Sequence, residues 1–301
     1  MTDTVYIIGN NALACYLGAQ IQSSGNKVVL LLDRQSAEET LATDGISIKE
    51  DRSLTQKKHK LSTAVFMKDP AKMVIIADYA NRLNTALSNV SKAKIGTAPV
   101  ICFTPIKDIS YLVPLVGNNL HSAFFKGYVI KNKNTVSLLG RSSGIVICPK
   151  TDGKIDQNAV DIFTASQIQT TVGSSRLHCF WEFFAPYALC SILSAAENAK
   201  ISDLLKNKLN KDIFKRLVDE FCTLAQADNI TLNGDIILKG IYNTPANYLY
   251  PLHQSILAGG RDDFSLLSST IADSSIASSG QIPETAQLLK KLYNLILNPT
   301  L

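Results

Sequence analysis

The stretch Tyr6-Ile7-Ile8-Gly9-Asn10-Asn11-Ala12-Leu13-Ala14 decides the fold of the N-terminal half of this chain. Val5 to Ile8 is a short apolar run typical of a buried strand, and apolar side chains then recur at helical spacing over residues 11–24. A strand, a glycine turn and a helix in this order bind dinucleotides, because the turn brings the backbone close to the pyrophosphate and the helix N-terminus faces the anion. The stretch therefore predicts a dinucleotide site.

Only one of the three glycines of the G-x-G-x-x-G pattern is present, at Gly9. Asn11 takes the second place, and asparagine tolerates positive φ better than most residues. Ala14 takes the third place, where a methyl group is accepted. The predicted pyrophosphate-binding residues are therefore Gly9, Asn10, Asn11, Ala12, Leu13 and Ala14. The alternative is a Rossmann-like turn that has lost its nucleotide.

The residues after the second strand bear on the choice between NADH and NADPH. Asp33 and Arg34 follow the apolar run Lys27–Leu32 at the distance from Gly9 where an acidic residue accepts hydrogen bonds from the adenosine ribose. Asp33 favours NADH, whereas Arg34 pairs with the 2′-phosphate of NADPH. The sequence leaves both cofactors open.

The rest of the N-terminal half repeats the alternation of strand and helix. Apolar runs at Val74–Ala77 and Val100–Phe103 are typical of parallel strands, with a helical stretch over residues 80–90 between them. Shorter strands, some antiparallel, are expected at residues 124–130, 136–139 and 144–148.

The character of the chain changes near residue 172, and the remainder is almost wholly helical. The predicted fold class is α/β, with a Rossmann-type parallel-sheet domain over residues 1–172 followed by an all-α domain over residues 173–301. Helices are expected at roughly 176–200, 211–228, 246–259, 262–279 and 284–297.

Composition excludes several classes of protein. The net charge of +5 is spread along the chain, and its densest basic run, Lys57–Lys60, indicates a solvated loop rather than a nucleic-acid surface. The six cysteines form no C-x-x-C pair and sit in apolar runs, which argues against disulfides and a metal site. No signal peptide and no apolar run of about 20 residues is evident. We expect a cytoplasmic protein with no membrane contact.

Several features recur in a familiar order and spacing. They are the N-terminal strand-turn-helix, Ser24-Gly25-Asn26-Lys27-Val28, Asp44-Gly45-Ile46, Met73-Val74-Ile75-Ile76-Ala77, Trp181, and Gln254-Ser255-Ile256-Leu257-Ala258-Gly259-Gly260-Arg261. This order resembles the ketopantoate reductases, two-domain NADPH-dependent enzymes of pantothenate synthesis. The resemblance implies a small 2-keto-acid substrate and a homodimer through the helical domain.

The functional residues of that family are largely replaced here. The resemblance matches its catalytic lysine to Phe183, and the two asparagines of the same helix to Tyr187 and Ser191. It matches the cofactor-site lysine after the fourth strand to Asp78 and the asparagine after the fifth to Pro105. Asp263 retains a carboxylate near the family's acidic position. The catalytic candidates are therefore Tyr187, Ser191 and Asp263, and the cofactor candidates include Asp78 and Pro105.

Structural explanations compete with each catalytic assignment. Tyr187 also suits a helical core with its hydroxyl hydrogen-bonded, and Asp263 suits a helix N-cap. His178 and Glu182 form an acid–base pair or a surface pair on one helix. His253 is a further donor candidate.

Three functions stay open at this point. The first is an NAD(P)H-dependent reductase of a small 2-keto acid, 2-dehydropantoate (ketopantoate) above all. The second is a catalytically inactive dinucleotide-binding or ligand-sensing protein. The third is a related dehydrogenase acting on an amino-acid–keto-acid condensation product.

Overall fold

The chain divides into two compact units, Met1–Arg176 and Leu177–Leu301. The computed structural model describes residues 4–33, 45–50, 56–79, 82–88, 90–149, 154–261, 263–278 and 281–297. Arg34, one of the predicted cofactor residues, lies outside the described residues.

The first unit is built on a mixed sheet. Its strands within the described ranges are β1 (Thr4–Ile8), β2 (Lys27–Leu31), β3 (Ile46–Glu50), β4 (Gln56–His59), β5 (Ser62–Ala64), β6 (Ala71–Ile76), β7 (Val100–Cys102), β8 (Leu120–Asn132), β9 (Thr135–Ile147) and β10 (Gln169–Val172). The strand order is β4-β3-β9-β8-β7-β6-β1-β2-β5, and β10 pairs with β9.

The order in which strands are added to the sheet reverses next to β1, because β2 lies on one side of β1 and β6 on the other. Strand β1 pairs in parallel with β2 on one side and with β6 on the other, so that Ile8 lies opposite both Leu31 and Ile76. Ligands of open α/β sheets bind at such a reversal, beyond the carboxyl ends of the strands. The carboxyl ends of β1, β2, β6 and β7 share this edge, as the alternating pattern predicts.

Both faces of β1 are buried, which explains why its sequence is a continuous apolar run. Val5 and Ile7 belong to one core cluster together with residues of helices α1 (Ala12–Ser23) and α5 (Gln157–Ala165). Tyr6 and Ile8 belong to the opposite cluster, which contains residues of the short helices α2 (Leu83–Leu87), α3 (Lys92–Ile95) and α4 (Val113–Val116).

Strands β8 and β9 form a long antiparallel hairpin that contacts α1. The expectation of three short strands here is wrong, because residues 124–130, 136–139 and 144–147 belong to these two strands. The pairing register shifts between Lys126 and Tyr128, and Gly140 on the facing strand has φ 88°, so the apolar pattern breaks within continuous strands.

The basic run at residues 57–60 is not a loop. Residues Gln56–His59 form the edge strand β4, which pairs with β3, with Lys57 and Lys58 exposed and His59 buried. An edge strand with lysines on its solvent side has no apolar pattern from which a strand could be predicted.

The second unit is helical, as predicted. The helices are α6 (Arg176–Ala196), α7 (Ile201–Leu204), α8 (Lys208–Gln226), α9 (Gly234–Tyr242), α10 (Pro251–Leu257), α11 (Phe264–Ser278) and α12 (Pro283–Leu297). Helix α9 was not predicted, because Gly234 and Gly240 weaken its helical pattern. Helix α10 begins at Pro251 rather than near residue 246, since proline suits the first helical position.

Helix α6 is the core helix of this unit. By length and composition this helix could cross a membrane, so the expectation that no stretch of the chain could do so is wrong. However, 78% of its most apolar 18-residue stretch is buried inside the protein. Trp181 is fully buried, and its indole N–H donates to the Asp228 carboxylate at 2.7 Å. These features are typical of a helix packed within a globular unit.

A buried carboxylate from α8 caps the start of α12. Glu220 accepts hydrogen bonds from the backbone N–H groups of Glu284 and Thr285 at 2.9 and 2.8 Å, and from the Thr285 hydroxyl at 2.6 Å. The first N–H groups of a helix have no partner within the helix, so this side chain both satisfies and anchors that end.

Candidate functional site

The turn after β1 is as tight as the dinucleotide pattern requires. Gly9 has φ +125°, and a Cβ atom built on it would lie 2.3 Å from the carbonyl oxygen of Ala77 at the end of β6. Only glycine fits a backbone of this conformation at this approach. The turn brings the ends of β1 and β6 together at the reversal point of the sheet.

Asn11 has a different role from the one predicted. Its φ is −76°, so tolerance of positive φ is not used; its side-chain oxygen instead accepts from the Ala14 N–H at 2.9 Å and caps α1. The N–H groups of Ala12 and Leu13 have no hydrogen-bond partner among the described residues, and both residues are half-buried. Two such donors at a helix start fit a pyrophosphate group.

The other predicted cofactor residues lie at the same edge of the sheet. Asp33 is exposed just beyond β2, and Asp78 and Pro105 are half-buried just beyond β6 and β7. The Asp78 carboxylate accepts from the Tyr79 N–H at 2.8 Å, and the backbone carbonyl oxygen of Asp78 accepts from the Thr104 hydroxyl at 2.9 Å. These contacts join the ends of β6 and β7.

A lysine that the sequence analysis missed reaches this turn from the hairpin. The Lys131 ammonium donates to the carbonyl oxygen of Asn10 at 2.8 Å and to its side-chain oxygen at 2.7 Å. The Cys15 thiol approaches the same side-chain oxygen at 3.5 Å. Burial raises the pKa of this thiol, and the charge of Lys131 acts in the opposite direction. Lys131 and Asn10 are 121 residues apart in sequence, so no local pattern predicts their contact.

Two of the three predicted catalytic residues meet in the second unit. The Tyr187 hydroxyl on α6 donates to the Asp263 carboxylate, just before α11, at 2.9 Å. Asp263 is 4% exposed and has φ +64°, an uncommon conformation for a residue other than glycine. Ser191, one turn further along α6, is fully buried, and its hydroxyl has no hydrogen-bond partner within the described part of the chain.

Comparison with known proteins assigns the N-terminal segment. Residues 5–104 match the family model of the ketopantoate reductases PanE/ApbA. This segment belongs to the ketopantoate reductase family. No curated protein sequence matches the chain.

Several solved structures share the fold of nearly the whole chain, including residues 5–104. D-mandelate dehydrogenase with NADH and anilino(oxo)acetate has a TM-score of 0.84 at 14% identity, covering 99% of this chain and 100% of that chain. A PanE/ApbA family ketopantoate reductase from Ralstonia eutropha has a TM-score of 0.81 at 18% identity, covering 98% and 99%. A dimeric ketopantoate reductase from Staphylococcus aureus has 0.78 at 13%, covering 98% and 99%. At these identities the likeness establishes the fold alone.

The position matched to the ketopantoate reductase lysine holds an aromatic ring. Phe183 is half-buried and stacks on Tyr187, with 5.6 Å between ring centroids and 18° between planes. The ring centroid of Tyr250 lies 6.2 Å from that of Tyr187. Burial raises the pKa of the neighbouring Cys190 thiol to about 12, so it stays protonated. Tyr187 thus has aromatic neighbours and a carboxylate partner.

The two histidine candidates are placed differently. His178 and Glu182 form an exposed pair at 3.3 Å on the surface of α6, as the competing surface interpretation has it. His253 is buried, its Nε2 lies 3.1 Å from the Asn198 side-chain oxygen, and burial lowers its pKa. A neutral buried imidazole in this setting is typical of a core residue.

Proposed function

We propose that the protein is an NAD(P)-dependent reductase of a small 2-oxo acid, with ketopantoate as the first candidate substrate. The observation that carries the proposal is the hydrogen bond between Tyr187 and Asp263, because it gives the helical unit a pair of groups able to hold and move a proton. The ketopantoate reductase match of residues 5–104 and the turn at Gly9 support a nicotinamide dinucleotide as cofactor.

The cofactor is proposed to bind at the carboxyl ends of β1, β2 and β6. The N–H groups of Ala12 and Leu13, which have no partner among the described residues, hold its pyrophosphate, and the exposed Asp33 accepts from a ribose hydroxyl. The charge of Asp33 opposes a 2′-phosphate, which favours NADH over NADPH. When bound, the reduced nicotinamide supplies a hydride to the substrate carbonyl carbon.

The chain itself must supply the proton that turns the carbonyl oxygen into a hydroxyl group. The single hydroxyl hydrogen of Tyr187 points at Asp263 when that carboxylate is ionised, and the pair then withholds the proton. When Asp263 carries a proton, its O–H donates to the Tyr187 oxygen, and the phenol hydrogen is free to face the substrate. Transfer from Asp263 to Tyr187 as Tyr187 protonates the substrate avoids an isolated phenolate.

The test follows oxidation of NADH and NADPH with ketopantoate and, separately, benzoylformate. Tyr187→Phe and Asp263→Asn are each expected to lower kcat by about 10²- to 10⁴-fold, the usual contribution of a positioned acid. Tyr242→Phe, on a half-exposed tyrosine of the same unit, is the matched control and is expected to keep full activity. Ser191→Ala is expected to lower kcat less than Tyr187→Phe, because the buried Ser191 hydroxyl makes no hydrogen bond within the described residues. A fully active Tyr187→Phe variant would refute the proton-donor assignment.

A second candidate is a non-catalytic dinucleotide-binding or ligand-sensing protein. The observation that favours it is Phe183, since an apolar ring at the position matched to the catalytic lysine has no proton to donate. Binding of cofactor without oxidation by any 2-oxo acid would support this second function over the first.

The remaining expectations belong to the same proposal. A role in pantothenate synthesis follows only if ketopantoate is turned over. A homodimer through the helical unit is supported by exposed apolar side chains on α11 and α12, with Ile276 79% and Tyr293 54% exposed, and is tested by light scattering. Six free thiols suit a cytoplasmic, reducing compartment.

A further inference from the structure

The contact between Lys131 and Asn10 has no counterpart in the predicted cofactor site. We propose that Lys131 is a positioning residue, which fixes the turn between β1 and α1 in the conformation that binds the dinucleotide. The inference rests on the proposed function, because it gives a residue outside the G-x-G-x-x-G pattern a part in cofactor affinity.

Lys131 is well placed to hold the turn. It is the penultimate residue of β8, and it is half-buried. The hairpin that carries it is attached to α1 by the contact between the Tyr16 hydroxyl and the Ser143 hydroxyl at 3.2 Å, and by the Tyr16 and Phe125 rings, whose centroids are 5.6 Å apart. The ammonium group is therefore presented to the turn by a segment that is packed on the same helix.

Asn10 is the residue through which the lysine acts. Two charge-assisted hydrogen bonds restrain its backbone carbonyl and its side chain together, which fixes the orientation of the peptide between Asn10 and Asn11. That peptide leads directly into the N–H groups of Ala12 and Leu13, the proposed pyrophosphate donors. A turn held in this way pays less conformational entropy when a ligand binds.

The charge of Lys131 has a second effect in the same direction. A cation beside the N-terminus of α1 adds to the positive end of the helix dipole, and both favour a bound anion. Two of its hydrogens are already directed at Asn10, so we assign it to the turn rather than to direct contact with the cofactor.

The substitution Lys131→Met removes the charge and the donors while it keeps the aliphatic stem. We expect it to weaken NADH binding by roughly tenfold or more, on the scale of a lost charge-assisted hydrogen bond. Lys131→Arg keeps a charged donor and is expected to recover most of the affinity. Lys133→Met is the matched control, because it removes the same charge from an exposed residue of the same hairpin.

The experiment is a titration of each full-length variant with NADH, and separately with NADPH, followed by nicotinamide fluorescence and calorimetry. A cycle with Asn10→Ala adds a readout that general destabilisation would not move. If Lys131 acts through Asn10, the double variant binds NADH more tightly than the product of the two single effects predicts. Thermal melting of each variant shows whether the fold is retained.

The outcomes separate this inference from the proposed function. Weaker cofactor binding in Lys131→Met, rescue by arginine and an unaffected Lys133→Met variant support the positioning role. If the wild type binds the cofactor and Lys131→Met binds it equally tightly, the inference is overturned and the proposed function stands. A wild-type protein that binds neither cofactor overturns both. Strictly multiplicative effects of the Lys131 and Asn10 changes overturn the route through Asn10.

Discussion

The substitution Gly9→Ala tests the geometry of the turn on which the cofactor site depends. At φ +125° an alanine occupies a backbone region that is open essentially to glycine, which costs about 1–3 kcal/mol. Its Cβ would also lie 2.3 Å from the Ala77 carbonyl oxygen, and separating the two displaces the end of β6. The Ala77 N–H donates to the Ile8 carbonyl at 3.0 Å, so this displacement strains a bond between the two strands.

The total effect is the sum of the backbone and packing costs. Overpacking of a close contact costs about 1–3 kcal/mol, so Gly9→Ala is expected to lower the free energy of unfolding of the first unit by about 2–6 kcal/mol. Gly25→Ala is the matched control, since Gly25 has φ +88° and an added Cβ would meet nothing within 4 Å. Its backbone cost alone is about 1–2 kcal/mol.

Urea denaturation followed by circular dichroism measures both variants, and NADH titration measures the site. We expect Gly9→Ala to lose more stability than Gly25→Ala and to lose cofactor binding, while Gly25→Ala binds NADH like the wild type. Equal loss of stability in the two variants would refute the close approach of β1 and β6. Unchanged NADH affinity in Gly9→Ala would refute the assignment of this turn to the cofactor.

Three further predictions concern the second unit. Glu220→Ala leaves the buried N–H groups at the start of α12 without an acceptor and is expected to cost about 2–4 kcal/mol in urea denaturation, whereas Glu197→Ala, on a surface pair, changes stability by less than about 0.5 kcal/mol. Burial lowers the pKa of His253 below its ordinary 6.5, so the stability contributed by the neutral imidazole is complete above pH 6.5 and is lost as the pH falls through the folded pKa. His253→Gln should therefore flatten this part of the profile of melting temperature against pH. An unchanged slope would contradict this prediction. Iodoacetamide at mildly alkaline pH should modify the half-buried Cys222 before Cys190, whose burial raises its pKa to about 12, and mass spectrometry that finds the reverse order would contradict the burial of Cys190.

The sequence predicted the parallel strands of the first unit because burial on both faces leaves a visible mark. Strands β1, β2, β6 and β7 each contain a continuous apolar run, and their alternation with helices predicts a parallel sheet. Strand β4 has no such mark, since Lys57 and Lys58 face solvent while the buried His59 is not an apolar residue. Helix α9 was hidden by its two glycines, although Asn233 caps it with a side-chain bond to the Ile236 N–H at 3.2 Å.

The candidate sites were predictable only where they are local in sequence. The turn at Gly9 is contained in a few consecutive residues, so its pattern was visible. The contact between Tyr187 and Asp263 joins residues 76 apart, and only the resemblance to a family singled out both of them. Lys131 lies at the end of an apolar hairpin strand, where a lysine is usually a solvated end residue, and nothing local links it to Asn10.

The position of β1 between β2 and β6 has a consequence for how the first unit forms during synthesis. This strand precedes all of its sheet partners in the chain, with β2 beginning at Lys27 and β6 at Ala71. At a ribosomal rate of about 5–20 residues per second, one edge of β1 stays unpaired for several seconds until β6 emerges. An apolar strand with an open edge is a template for association with other chains. A nascent chain or fragment that ends between β2 and β6 is therefore expected to be a substrate for chaperones.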